Sequence, residues 1–162
     1  MPEYNLQVAE RLVDAAHFLE KQDEPGATGA ILYLSLVAAE LTLKALLEKA
    51  GWPIEHLRFV RGHKLAELLI DLCTCEVQDS STGIWQSAAS LCSVTVDRRY
   101  IDATVGKLLQ AETAGASTYP NQIRYGEDVH HYDPVLMLGA ARKALEWAKN
   151  HEQTICRKDR SA

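Results

Sequence analysis

Aromatic side chains make up only 7% of this 162-residue chain, so Leu and Ala have to supply most of any core. Nine Gly and five Pro are too few for a disordered, low-complexity or fibrous protein. Sustained apolar–polar alternation of the kind that marks a strand is not expected along the chain, which argues against a sheet protein. No uncharged apolar run approaches the roughly 18 residues that a bilayer requires. The greasiest stretch, Gly29 to Ala39, is closed by Glu40, and on this reading a membrane span is excluded. The opening residues Met1-Pro2-Glu3-Tyr4-Asn5 have neither the basic nor the apolar region of a secretory signal, which points to a cytoplasmic protein.

Basic charge is also short. Seventeen Lys and Arg against 22 Asp and Glu give a net charge of -5, so contact with nucleic acid needs a local cationic patch to overcome the overall field. Four cysteines, Cys73, Cys75, Cys92 and Cys156, read as reduced thiols in a cytosolic chain of this size. Cys73 and Cys75 lie two apart in what reads as a helix, where they face different sides and make poor metal ligands. The paired Glu-x-x-His motifs of di-metal bundle sites are not found, the spacing occurring once, from Glu127 to His130, and no cofactor is expected.

What the chain does contain is helical patterning. Val8, Leu12, Ala15, Ala16 and Leu19 predict an amphipathic helix over about residues 3 to 22, stopped by Asp23-Glu24-Pro25-Gly26. A second helix over about Ala27 to Ala50 is apolar on nearly every face and belongs in the middle of a bundle. It ends at Gly51 with Pro53 beyond. After a loop from Trp52 to Gly62, Leu65, Leu68, Leu69 and Leu72 mark a third helix. Ser80 to Gly83 offers caps for a helix through Ile84, Trp85, Ala88, Leu91 and Cys92. A break at Thr95-Val96-Asp97 precedes a helical pattern through Val105, Leu108 and Leu109. Asp133 as N-cap with Pro134 behind it opens the last helix. The expected fold is all-α: an antiparallel four-helix bundle with one or two extra short helices, a single domain over 1–155 followed by a polar tail over 156–162. Trp52, Trp85 and Trp147 read as packing anchors.

Three segments carry a resemblance. The run Leu34-Ser35-Leu36-Val37-Ala38-Ala39-Glu40-Leu41-Thr42-Leu43-Lys44-Ala45-Leu46-Leu47 and the opening Gly62-His63-Lys64-Leu65 resemble the second and third helices of the HEPN family (higher eukaryotes and prokaryotes nucleotide-binding domains). Ser117-Thr118-Tyr119-Pro120 and Arg124-Tyr125-Gly126 are similar to that family's Thr-Arg-Tyr-Pro signature, the first with Thr in place of Arg and the second with Gly in place of Pro. The resemblance implies a small four-helix bundle, usually a homodimer. It also implies one of two behaviours: metal-independent RNA cleavage in a toxin–antitoxin or defence setting, or a non-catalytic nucleotide-binding or dimerisation module that partners a nucleotidyltransferase.

RNA cleavage without a metal requires a group to handle the 2′-hydroxyl proton and a cation for the phosphorane charge, and His with Arg supplies both near neutral pH. Arg124, followed after five residues by His130, with His131 and Tyr132 next, matches that requirement just before the last helix. The same residues also suit an ordered polar loop that caps that helix. Arg58 and His63 have a similar spacing, although Gly62-His63 equally marks a helix start. Glu40 and Lys44 are four apart in the order that favours a helical ion pair. Because both follow the most apolar stretch of the chain, burial would oblige them to find partners. A polar cluster of Glu40, Lys44, His63 and one loop arginine, Arg58 or Arg124, is therefore expected. Arg98-Arg99-Tyr100 suits either phosphate contact or a solvated helix start.

Overall fold

The computed structural model describes residues 2–99, 102–114, 120 and 133–158. These are mostly helical: α1 (Leu6–Gln22), α2 (Ala27–Ala50), a π-helical turn (His56–Arg61), α3 (Leu65–Cys73), a 3-10 segment (Ala88–Ser93), α4 (Val105–Ala114) and α5 (Pro134–His151). Three short strands, β1 (Cys75–Gln78), β2 (Trp85–Ser87) and β3 (Cys156–Arg157), form one antiparallel sheet in the order β2-β1-β3.

The helices begin and end where local chemistry dictates. Asn5 caps α1 by accepting the Val8 N–H at 3.0 Å, and Asp133 caps α5 by accepting the Val135 N–H at 2.8 Å, with Pro134 in the first turn. Gly51, at φ 102°, closes α2 in the left-handed conformation that costs glycine nothing. α2 packs against α1, α5 and α3, and residues on all its sides are buried, among them Leu32, Leu36, Ala39, Leu43, Leu46 and Leu47. By length and composition α2 is in fact apolar enough to cross a membrane, with a mean hydropathy of 1.8. Glu40 interrupts the run without lowering its average hydropathy enough to rule out a span, which corrects the exclusion drawn from the sequence. The chain's own helices cover 72% of that apolar window.

The sheet is the main departure from the expected all-α fold. Cys75 and Val77 point inward and alternate with half-exposed Glu76 and Gln78, the end of an apolar–polar alternation that the sequence carries from Cys73 to Gln78. The Asp79 carboxylate accepts the N–H groups of Ser81 and Thr82 at 2.7 and 3.0 Å and the Ser81 hydroxyl at 2.6 Å. Those bonds hold the Asp79 carboxyl down at about 2. The serine-rich segment thus closes a hairpin instead of capping a helix. Trp85 lies 49% exposed in β2 and is not a packing anchor, whereas Trp147 is buried in α5. At the other end, Cys156 and Arg157 pair with Glu76 and Cys75, so the first residues of the expected tail belong to the sheet. Cys73 ends α3 and Cys75 opens β1, and all four cysteines are free.

α4 approaches the 3-10 segment closely because Gly106 has no side chain. A Cβ there would lie 2.8 Å from Cys92 Cβ and 3.0 Å from Cys92 O, whereas one at Gly139 would meet only a side-chain methyl of Val96, at 2.7 Å. Backbone cannot swing away as a methyl can. Gly106→Ala should therefore lower stability by about 1–2 kcal/mol despite its better helix propensity, while Gly139→Ala should stay within about 1 kcal/mol of wild type. Urea midpoints measure both, and equal shifts would refute the close backbone approach.

Candidate functional site

Polar groups gather where α2 passes the start of α3. Glu40 and Lys44 occupy successive turns of α2, each only 5% exposed, with Lys44 Nζ donating to Glu40 Oε1 at 2.8 Å. Neither charge has enough water to sustain it alone, so each is the other's solvent. The second partner of Glu40 is His63, whose Nδ1 lies 3.0 Å from Oε2 and 3.2 Å from Oε1. A carboxylate facing Nδ1 favours the tautomer in which that nitrogen donates. Gly62, at φ 53°, turns the chain so that the imidazole reaches α2 while 53% of its side chain stays exposed. Glu40 and His63 each make a further interaction beyond these.

The N-terminal segment lies across the same stripe of α2. Glu48, one turn beyond Lys44, accepts the backbone N–H groups of Glu3 and Tyr4, both at 2.8 Å. This places the Tyr4 ring 5.3 Å from Lys44 Nζ, a cation–π contact.

A second cluster, which the sequence analysis did not anticipate, centres on Asp71 of α3. Arg61 grips its carboxylate with two bonds, Nε to Oδ2 at 2.8 Å and Nη2 to Oδ1 at 2.9 Å, and extends Nη1 to Glu67 at 3.1 Å. His56 Nε2 reaches Oδ2 at 2.9 Å. Burial pushes the Asp71 carboxyl upward, but the bonds from Arg61 and His56 outweigh it and hold the group below its ordinary value of 3.8. His56 and Arg61 are five residues apart, the hydrogen-bond step of a π-helix, so one π turn sets both on the same side. In an α-helix they would diverge. His56 also stacks on Trp52, with ring centroids 4.7 Å apart, and the Arg157 guanidinium sits 4.0 Å from the centre of the Trp52 ring.

The expected cluster of Glu40, Lys44 and His63 is therefore present, but Arg58 is not part of it. Arg58 lies two residues past His56, off the side that meets Asp71, and pairs with Glu3 of the N-terminal segment, both side chains 47% exposed. Arg99 folds onto Asp97 at 2.9 Å. Arg124, His130, His131 and Tyr132 lie outside the described residues. The signal that could have exposed the Asp71 cluster was an Asp at position 71 among Leu68, Leu69 and Leu72, on a face bound for the core. Among the described residues no three metal-ligating side chains converge. Family models, curated proteins and solved structures were compared with the chain, and none of them matches.

Two outcomes follow from these geometries. Glu40→Gln or Lys44→Met alone strands a buried charge or its polar partner and should cost about 3–5 kcal/mol, while Glu40→Leu with Lys44→Met should recover most of that loss. Urea denaturation tests this, and single variants within about 1 kcal/mol of wild type would show the pair to be solvated. Because the Asp71 carboxyl is depressed in the folded state, the stability it contributes is fully present above 3.8 and disappears as pH falls through the lower folded value. Acid titration of Asp71→Asn should show a shallower loss of stability over that window than wild type.

Proposed function

We propose that this chain is a HEPN-like domain, with α1, α2, α5 and the α3–α4 layer as its four-helix bundle, that works as a cytoplasmic homodimer on RNA or a nucleotide. One observation carries the reading: Glu40, buried and paired to Lys44, holds the ring of a half-exposed His63 through Nδ1 at the rim of the domain. A carboxylate-oriented imidazole facing solvent is equipped to move a proton to or from a bound group. Arg58 and Lys64, with side chains 47% and 65% exposed, supply positive charge nearby in a chain that is otherwise acidic.

The activity proposed is metal-independent RNA cleavage by attack of the 2′-hydroxyl on the adjacent phosphate. Arg124 would stabilise the scissile phosphate, His130 or His131 would serve as general base or acid, and Tyr132 would position them; these roles rest on sequence spacing and resemblance. Such a nuclease fits a toxin–antitoxin or defence setting. A second reading, a non-catalytic nucleotide-binding or dimerisation module beside a nucleotidyltransferase, is favoured by the same Glu40–Lys44 pair. Its charges satisfy each other without any substrate.

Purified protein incubated with mixed RNA in EDTA separates the two. Degradation that disappears in His130→Ala with His131→Ala, at unchanged helical circular dichroism, is the result expected for the nuclease. Absence of cleavage together with a raised melting temperature in the presence of ATP-like ligands would replace it with the binding module.

A further inference from the structure

We propose that Phe59 is a stacking platform for a base of single-stranded RNA, with Arg58 and Lys64 holding the flanking phosphates. The proposal rests on the RNA reading above and adds the surface that would engage the strand.

Phe59 is the most exposed large apolar side chain among the described residues, at 75%. Folding gains almost nothing from it there, since its ring stays in water. Leu57, two residues earlier, is fully buried, so the π-helical turn is anchored to the core on one side and presents Phe59 on another. The Arg58 guanidinium lies 5.8 Å from the Phe59 ring centroid, which sets a cation beside an aromatic face. Aromatic rings that accept bases, set among cations that follow the backbone, are the arrangement by which proteins hold single strands.

Charge favours the same ligand. The nine residues from His56 to Lys64 contain three Lys or Arg, two His and no acidic side chain, in a chain whose net charge is -5. Arg61 is committed to Asp71 and Glu67 and is not counted on. Arg58 pairs with Glu3 where both are nearly half exposed, and Lys64 meets Glu67 only at 3.8 Å. Pairs so open to water are weak, and a phosphate can replace either carboxylate. His63 lies between Arg58 and Lys64 in the chain, so a strand bound here would run past the imidazole that Glu40 orients.

The test uses the full chain and a fluorescent single-stranded decanucleotide with 2′-O-methyl riboses, which binds but cannot be cleaved, read by anisotropy at low salt. Phe59→Ala should weaken binding about 10-fold, with an unchanged melting temperature because the ring is exposed. Phe59→Trp should keep wild-type affinity and add a fluorescence signal that the oligonucleotide quenches. Lys64→Ala should lower the slope of log affinity against log salt by about 0.7. If wild type binds and Phe59→Ala binds equally well, the platform is wrong and the RNA reading stands. If wild type binds no oligonucleotide, the RNA reading fails and the platform with it. If Phe59→Ala instead dissociates a dimer without changing RNA affinity, this face joins two copies of the chain and the proposal is overturned.

Discussion

An ion pair inside an apolar helix is a demanding thing to fold around. Glu40 and Lys44 sit on α2 among leucines and alanines that are sealed from water on every side, and a charge in such a place must find its compensation within the protein. Lys44 supplies one partner of the carboxylate, and His63 supplies another. Glu48, on the next turn of the same stripe, draws in the N-terminal segment by two backbone N–H groups. One polar line on an otherwise greasy helix thus settles where the chain before α1 lies and where the turn into α3 comes down.

The junction between α2 and α3 repeats that logic around Asp71. A buried carboxylate near the start of the sheet collects a guanidinium and an imidazole from a single π turn. The extra residue in that turn is what lets both side chains face the same way, and it leaves Phe59 outside. Two carboxylates, one on each helix, therefore fix the ends of a nine-residue segment that carries most of the local positive charge. Its histidines and one of its arginines tie the segment to both helices. It is available because its remaining cations and its phenylalanine are not sunk into the core. That combination of fixed backbone and exposed side chains is what a recognition surface needs, since binding then loses little conformational freedom.

Much of this could be read without coordinates. α1, α2 and α5 were legible from apolar spacing and from Gly51 and the Asp133-Pro134 pair, because helix ends answer to groups within a few residues. The contact of Glu40 with His63 was also accessible, since two titratable groups in apolar segments must be compensated somewhere. The hairpin was not. Serines before Ile84 and Trp85 serve a helix cap and a turn equally well, and the choice fell to pairing with Cys75–Gln78 and, through it, with Cys156–Arg157. Arg58 was placed with the wrong acid for a similar reason: helical spacing said nothing of a π turn.

By itself, then, the order of residues determined that the chain is mainly helical, where its long helices start and stop, that α2 lies at the centre, and that Glu40 and Lys44 pair. Each of these depends on residues within one or two turns of one another, or on how much apolar surface must leave water. Only the tertiary structure decided which arginine meets which carboxylate, that a small sheet joins residues 75–78 to residues 156–157, and that Phe59 is left facing solvent. Those outcomes depend on groups distant along the chain being brought together, and local propensity places no constraint on which of several equivalent partners arrives.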